Sequence, residues 1–393
     1  MSKPTVVVGL SGGVDSSVAA FLLQKKGYQV IGLFMKNWHD PSMTLSNQCP
    51  WLEDSYDAMM VADKLSIPFH TIDFSVEYQS RVIDYMFEEY RRGRTPNPDV
   101  ICNREIKFDL FLKAAMNVGA DFIATGHYCQ KEALSKNTSN KDFKLIAGID
   151  KTKDQSYFLC QLTQKQLSKV LFPIGHLNKT EVRTIARENH LVTAAKKDSQ
   201  GLCFVGKVKL PDFLKQKLKP KTGHVIEIQS NHDLYNPKDV EDHHLEYRYG
   251  YRYDSSDGSI IGQHQGAHFY TIGQRKGLAI GGKDQPLFVI GIDTENNIVY
   301  VGKGKNHPGL YRKSLMVETD KIHWIRKPSS FCDNETLPVM ARIRYRQSLE
   351  HATIKMDSNG LFVLFEAPQF AITQGQFVAW YQENELMGSG VIA

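Results

Sequence analysis

The sequence predicts an α/β protein in three parts. Residues 1–205 form an N-terminal doubly wound parallel-sheet domain, 206–285 a small mixed or β central domain, and 286–393 a C-terminal antiparallel β-barrel. Three observations carry this. Strand-like and helix-like runs alternate as far as about residue 200, the pattern of a parallel sheet covered on both faces. A β-branched run, Thr5 to Val8, turns through Gly12-Gly13 into a helical pattern. From Pro286 on, short alternating strands recur at even spacing between turn residues, as in a small barrel.

The first strand leads into Gly9-Leu10-Ser11-Gly12-Gly13-Val14-Asp15-Ser16-Ser17, then a helix with Val18, Leu22 and Ala19, Leu23 at helical spacing, ended by Gly27. A strand turning through glycines into a helix N-terminus is an anion site, where N–H groups converge and the helix dipole favours negative charge. The Walker loop would need a Lys before Ser or Thr, and the dinucleotide fingerprint would need spaced glycines; this stretch has neither. Gln29 to Met35 is the second strand, Ser55 to Leu65 a helix, and Phe69 to Phe74 the third strand. Ser75 to Arg92 and Arg104 to Asn117 read as long helices, and Asp121 to Thr125 as a strand running into Gly126-His127-Tyr128. Ligands of open α/β sheets bind beyond the carboxyl ends of the strands. The glycine loop, Met35 to Trp38 and Thr125 to Tyr128 all reach that edge.

Arg94 to Asn103 holds two prolines, Pro96 and Pro98, and reads as a stiff extended segment. It carries Asn97, Asp99, Cys102 and Asn103 among Arg91, Arg92, Arg94, Arg104 and Lys107, a setting that would lower a thiol pKa. Lys153 to Tyr157 opens a further helix, while Thr163 with Gln166 and Asn178 with Glu181 read as helix caps. Lys196 to Phe204 is a basic loop carrying a lone Cys203 beside Gly201. After Val205-Gly206 the alternation stops, leaving one short helix, Lys209 to Leu218, before β pattern. Ser230 to Ser259 is polar, lacks periodicity and reads as an inserted loop; its His243-His244 pair has no metal-ligand spacing. Thr271 to Gly282 is a glycine-rich basic turn. The barrel strands are Leu287 to Ile292, Ile298 to Gly302, Val339 to Tyr345, Thr353 to Met356, Leu361 to Phe365 and Gln376 to Trp380. Period two puts Arg342, Arg344 and Arg346 on one face and Tyr345 on the other.

Composition narrows the class. The net charge of +5 permits a nucleic-acid partner or a small anionic one. Six cysteines stand apart with no C-x-x-C pair, so neither zinc nor a redox dithiol is indicated, and no protein-bound metal is expected. No apolar run approaches a membrane span, and Met1 to Pro4 leads straight into a strand with no signal peptide visible. The expectation is a cytoplasmic protein without a membrane partner.

Ser11 to Ser16, Phe34 to Trp38, Gly93 to Asp99, Cys102-Asn103, Ile106 to Phe108 and Ala124 to Tyr128 recur here in one order. Lys153 to Phe158, Gly201 to Phe204, Gly273 to Leu278 and Arg344 to Gln347 follow. With these motifs nearly the whole chain resembles the tRNA-specific 2-thiouridylases, PP-loop ATP pyrophosphatases with an adenine nucleotide alpha hydrolase-like fold. The departures are Ser230 to Ser259, longer than in that family, and Leu202, where Ile is commoner.

The resemblance implies ATP-dependent 2-thiolation of the wobble uridine, position 34, of tRNA. The uracil C2 oxygen would be adenylated with release of pyrophosphate, and a cysteine persulfide would then give 2-thiouridine and AMP. Gly9, Leu10, Ser11, Gly12, Gly13, Val14, Asp15, Ser16, Met35 and Gly126 would hold ATP, with Mg2+ on its phosphates and Asp15 supporting the metal or the loop. Asn97, Pro98 and Asp99 would meet the target base, Asp99 also being a candidate acid or base. Lys153, Asp154, Gln155, Arg344 and Tyr345 would meet tRNA. Cys102 would be the nucleophile and Cys203 the persulfide carrier, with a Cys102–Cys203 disulfide formed in the relay. The implied partners of a monomer are lysine, glutamate and glutamine tRNAs and a sulfur donor such as a cysteine desulfurase or relay protein.

Two other readings use part of these residues. A small-molecule adenylating ligase or amidotransferase, GMP synthetase-like or argininosuccinate synthetase-like, would share Ser11 to Ser16 but leave the two thiols and the arginine-bearing barrel without a role. An RNA-binding module with a relict nucleotide site would leave Asp15 without consequence.

Overall fold

The structure, a computed structural model, describes residues 3–37, 50–134, 142–197, 210–215, 217–235, 250–332 and 335–393. Its N-terminal sheet is parallel. Val6–Val8 are fully buried in β1 (Thr5–Gly9), with β2 (Gln29–Lys36), β3 (Phe69–Asp73), β4 (Phe122–Ala124) and β7 (Val170–Leu171) in the order β3-β2-β1-β4-β7. Alternate residues of β1 face opposite layers. Val6 and Val8 pack with α1 (Val14–Lys25), α2 (Pro50–Leu65) and α8 (Lys179–Glu188), whereas Val7 packs with the helices between Ser75 and Asn117. Because β1 lies between β2 and β4, the chain reverses direction across the sheet there, and the crevice falls at its carboxyl end.

The two long helices form with local π winding. α3 (Ser75–Tyr78) continues through a π segment, Gln79–Ile83, into α4 (Asp84–Arg91). The expectation of extended chain up to Asn103 is wrong, because α5 (Pro98–Cys102) is helical and runs through a π segment, Asn103–Leu110, into α6 (Phe111–Asn117). The physical reason is that Pro98 occupies the first helical position, where its missing N–H is harmless, and Asn97 caps the helix by accepting from Val100 N at 3.3 Å.

An antiparallel hairpin, β5 (Cys129–Ala133) and β6 (Phe143–Ala147), interrupts the expected alternation and joins the C-terminal sheet through Ile146 and Glu385. Lys153 to Tyr157 opens no α-helix; a turn precedes a 3-10 segment, Ser156–Leu159. Both expected caps are present as reciprocal boxes, Thr163 with Gln166 at α7 (Gln164–Lys169) and Asn178 with Glu181 at α8.

After α9 (Leu210–Leu214) comes a four-stranded sheet ordered β10-β11-β8-β9, made of β8 (Gly223–Ile228), β9 (Ser259–His264), β10 (Leu287–Asp293) and β11 (Ile298–Lys303). The strands at Leu287 and Ile298 thus belong to this sheet and not to the barrel, since β11 pairs in parallel with β8. Within the expected insertion Ser230 to Ser259, residues 236–249 lie outside the described residues, and Tyr253 packs beneath Gly291.

The C-terminal sheet is antiparallel throughout. β12 (Tyr311–Glu318), β13 (Ile322–Trp324), β14 (Thr336–Arg342), β15 (Glu350–Asp357), β16 (Gly360–Phe370), β17 (Phe377–Gln382) and β18 (Glu385–Val391) surround a core that includes Trp380, Val363 and Leu315. It curls toward closure, with Gly390 of β18 against Val317 of β12 and Ala393 N donating to Met316 O at 3.0 Å. Among the described residues no helix is long and apolar enough to cross a membrane.

Candidate active site

The loop after β1 is shaped by its own hydroxyls. Ser16 Oγ accepts from Ser11 N at 3.2 Å and donates to Gly13 O at 3.1 Å, while Ser17 Oγ donates to the same carbonyl at 2.8 Å. Gly13 begins α1 without any side-chain cap, so the helix end keeps its first-turn N–H groups for a guest. Gly12 has φ +70°, and a Cβ there would run into the carbonyl of Asp54 on α2. Gly126 lies against the same helix end, where a Cβ would meet Ser16 N at 2.7 Å. These glycines are needed for close backbone approach. A cradle of bare backbone at a helix N-terminus fits a phosphate chain, with Gly9 to Ser16 and Gly126 as its walls. Met35 is buried on the neighbouring strand, its Cε 3.5 Å from the Cβ position of Gly9.

No lysine stands in this loop, but one comes to it from α8. Lys179 Nζ donates to both carboxylate oxygens of Asp15 at 2.8 and 2.9 Å, and Tyr128 Oη donates to Asp15 Oδ1 at 2.7 Å. Sequence reading did not identify Lys179, since nothing local marks it. Asp15 is therefore engaged as a loop anchor. Among the described residues no three His, Cys, Asp or Glu side chains gather as metal ligands. Lys196 is a second cation at this edge, donating to Asp54 Oδ1 at 2.7 Å and to Asp57 on α2. Against burial, which alone would lower it, those two carboxylates raise the Lys196 pKa. His127, just after β4, is buried beside Thr125, Nδ1 to hydroxyl 2.8 Å; burial first and Lys107 second push its pKa well down.

The thiol setting differs from expectation. Cys102 ends α5 and continues into π winding, so it does not stand at a helix start, and it is fully buried in the core. Most of the arginines around it are paired: Arg91 and Arg92 with Glu88, Arg94 with Glu89, Arg104 with Glu105. That neutralises much of the expected positive field. Cys203, Cys49 and Trp38 lie outside the described residues. Burial raises Cys129 well above the ordinary thiol and pushes Cys160 up to about 12; Cys332 is exposed.

Asn97, Pro98 and Asp99 form the first turn of α5 and are half-buried. Thr95 N donates to Gln374 O at 2.8 Å and Gln376 Nε2 to Thr95 O at 2.9 Å, so this turn is docked on the C-terminal part of the chain. The three arginines do not share a strand face, because β14 ends at Arg342 and residues 343–349 turn. Arg342 is buried, Arg344 donates to Ala371 O at 2.6 Å, and Arg346 is exposed. Asp154 is likewise buried and accepts from Arg342; Lys153, Gln155 and Tyr345 beside it are half-buried.

Three domain models match the chain in succession: a tRNA methyl transferase HUP domain over residues 4–207, a tRNA methyl transferase PRC-barrel domain over 238–303, and an aminomethyltransferase beta-barrel domain over 314–392. The chain is 58% identical over 395 residues to the tRNA-specific 2-thiouridylase MnmA of Christiangramia forsetii, covering 99% of each. It is 59% identical over 399 residues to the protein of the same name from Flavobacterium johnsoniae, again covering 99% of each. The Karelsulcia muelleri protein of that name is 50% identical over 395 residues, covering 100% of each.

Proposed function

The chain belongs to the tRNA-specific 2-thiouridylase family, and on that premise we propose that it adenylates and then thiolates the wobble uridine of tRNA. The observation that carries this is the phosphate cradle at the end of β1, with its bare glycine backbone, uncapped helix end and no lysine of its own. Such a cradle suits an enzyme that retains pyrophosphate as a leaving group. The oxygen on C2 of uracil attacks the α-phosphorus of ATP, the bond to pyrophosphate breaks, and the oxygen becomes part of a good leaving group. Sulfur then attacks C2 and AMP departs with that oxygen. Hydrosulfide or the outer sulfur of the deprotonated persulfide is the attacking form.

In this chain Gly12, Gly13 and Gly126 let the backbone approach the phosphates, Ser11 and Ser16 fix the loop, and Lys179 with Tyr128 hold Asp15. A magnesium ion would arrive on the phosphates themselves. Asn97 to Asp99, the first turn of a helix capped by Asn97 itself, would present a stiff edge to a base flipped out of the anticodon loop. Cys203 would carry the persulfide supplied by a cysteine desulfurase or relay protein. Cys102 would attack the inner sulfur of Cys203, either before transfer, releasing hydrosulfide, or after the outer sulfur has bonded to C2, releasing 2-thiouridine; both routes leave a Cys102–Cys203 disulfide that an external thiol must reduce. Cys102 is fully buried in this structure, so its attack requires its thiol to become exposed.

Incubation with tRNA, ATP and a persulfide donor tests the reading. Cys203→Ser should abolish persulfide labelling, whereas Cys102→Ser should keep the label and lose thiolated product. Full activity of Cys203→Ser would overturn the relay, and normal thiolation by Cys102→Ser with the persulfide donor as the only sulfur source would reduce Cys102 to a packing residue.

A further inference from the structure

The residues proposed to meet tRNA sit on two turns that are remote in sequence, 151–155 after β6 and 343–349 between β14 and β15. A buried ion pair joins them. Arg342 Nη2 donates to Asp154 Oδ2 at 2.7 Å, Ser156 Oγ at 3.1 Å and Tyr381 Oη at 2.7 Å, and Nη1 reaches Tyr345 O at 3.4 Å. Asp154 also accepts from Gly148 N and Ser156 N, both at 3.0 Å, so its carboxylate organises the first turn while pinning the second. Above the pair, the Tyr345 ring packs on Phe158 with centroids 4.3 Å apart, and its hydroxyl donates to Lys153 O at 3.4 Å.

The same cluster reaches the nucleotide loop. Gln155 N donates to Tyr128 O at 2.9 Å, Tyr128 N donates to Gln155 Oε1 at 3.0 Å, and Tyr128 Oη donates to Asp15 Oδ1 at 2.7 Å. One path of hydrogen bonds, with the peptide bond between Gln155 and Asp154 as a covalent step, therefore runs from Asp15 through Tyr128, Gln155, Asp154 and Arg342 to the Tyr345 turn. An apolar plug of equal size would join two domains at least as firmly as a buried charge pair; what the guanidinium fork adds is orientation.

We propose that Arg342 is a positioning residue for the tRNA reaction: its pairing with Asp154 fixes the two turns as one surface, and Tyr128 ties that surface to the phosphate loop. This rests on the thiolation reading. Arg342 touches neither nucleotide nor tRNA in this account and acts through Asp154 and Tyr345.

The test measures tRNA affinity, affinity for a non-hydrolysable ATP analogue, and steady-state pyrophosphate release with tRNA. Arg342→Met should raise the tRNA Kd and the KM for tRNA by about tenfold or more. The analogue's Kd without tRNA should stay within about twofold. Arg342→Lys should fall between the two, since a point charge reaches Asp154 but cannot fork. Asp154→Asn combined with Arg342→Met should be less harmful than the sum of the single changes. A folded Arg342→Met with wild-type KM for tRNA would overturn the proposal. If Arg342→Met fails to fold, Tyr128→Phe decides, as it deletes one hydroxyl and no charge. It should lower kcat for tRNA-dependent pyrophosphate release without changing tRNA Kd, and an unchanged kcat would overturn the link. Failure of the underlying reading looks different: the wild-type protein itself would then bind no tRNA or release no pyrophosphate with it.

Discussion

Gly126→Ala is a small change whose consequence can be worked out from the phosphate cradle. The new methyl would sit 2.7 Å from Ser16 N and 2.8 Å from the Asp15 carbonyl carbon, both backbone atoms of the first turn of α1. Ordinary van der Waals contact begins about 0.7 Å further out, so β4 and the start of α1 must separate. Gly126 has no positive φ, and the whole effect is therefore steric. Overpacking of this kind costs about 1–3 kcal/mol, against a typical domain stability of roughly 5–15 kcal/mol, so the variant folds. Losing one backbone hydrogen bond to a charged phosphate costs about 1.5–3 kcal/mol, which weakens ATP binding by roughly ten- to a hundredfold. Gly13→Ala is the control. Its φ is −98° and the nearest atom to a new Cβ is Ser11 Oγ at 3.4 Å, so stability should be unchanged or slightly raised. Urea denaturation and calorimetric titration with a non-hydrolysable ATP analogue measure both effects. Wild-type stability and affinity in Gly126→Ala would refute the reasoning, as would a greater stability loss in Gly13→Ala.

Other consequences can be checked by direct measurement. Burial lowers the pKa of His127, His264, His268, His307 and His323 below the ordinary 6.5, so protons bind the unfolded chain more readily. Stability is then full above about pH 6.5 and falls as pH drops toward the folded-state values; an unchanged urea midpoint at pH 5.5 and 7.5 would contradict this. Lys179→Met leaves Asp15 with Tyr128 as its remaining hydrogen-bond donor among those described above, and should weaken ATP-analogue binding by roughly tenfold while the C-terminal sheet keeps its melting behaviour. Unchanged affinity would show that the loop holds Asp15 without the cation. Alkylation at neutral pH should mark exposed Cys332 quickly and spare Cys129 and Cys160 until the protein is unfolded, which peptide mass spectrometry reads directly. Fast labelling of Cys160 would contradict its burial.

Local chemistry made the phosphate loop legible: a β-branched strand, two adjacent glycines and an acidic helix start leave few other structures available. The same holds for the reciprocal caps at Thr163 and Asn178, which need only four residues to declare themselves. Pro98 was legible only in part, because a proline that forbids the interior of a helix is favoured at its first position, and Asn97 was the missing cue. The electropositive reading of Cys102 neglected Glu88, Glu89 and Glu105, whose pairing with the nearby arginines depends on helix geometry. What sequence could not offer was long-range pairing. Lys179 meets Asp15 across a separation of 164 residues, and Arg342 meets Asp154 across 188. The exchange of β10 and β11 into the central sheet has the same cause, since their partner β8 lies far upstream.

The central claim is adenylation followed by sulfur transfer on tRNA. Its most direct measurement is mass spectrometry of tRNA nucleosides after incubation with ATP and a sulfur donor, with the nucleotide products quantified in parallel. The account predicts a uridine in which sulfur replaces the C2 oxygen, with AMP and pyrophosphate formed in equal amounts and no product when ATP is omitted. A methylated nucleoside, or ADP and orthophosphate in place of AMP and pyrophosphate, would contradict it.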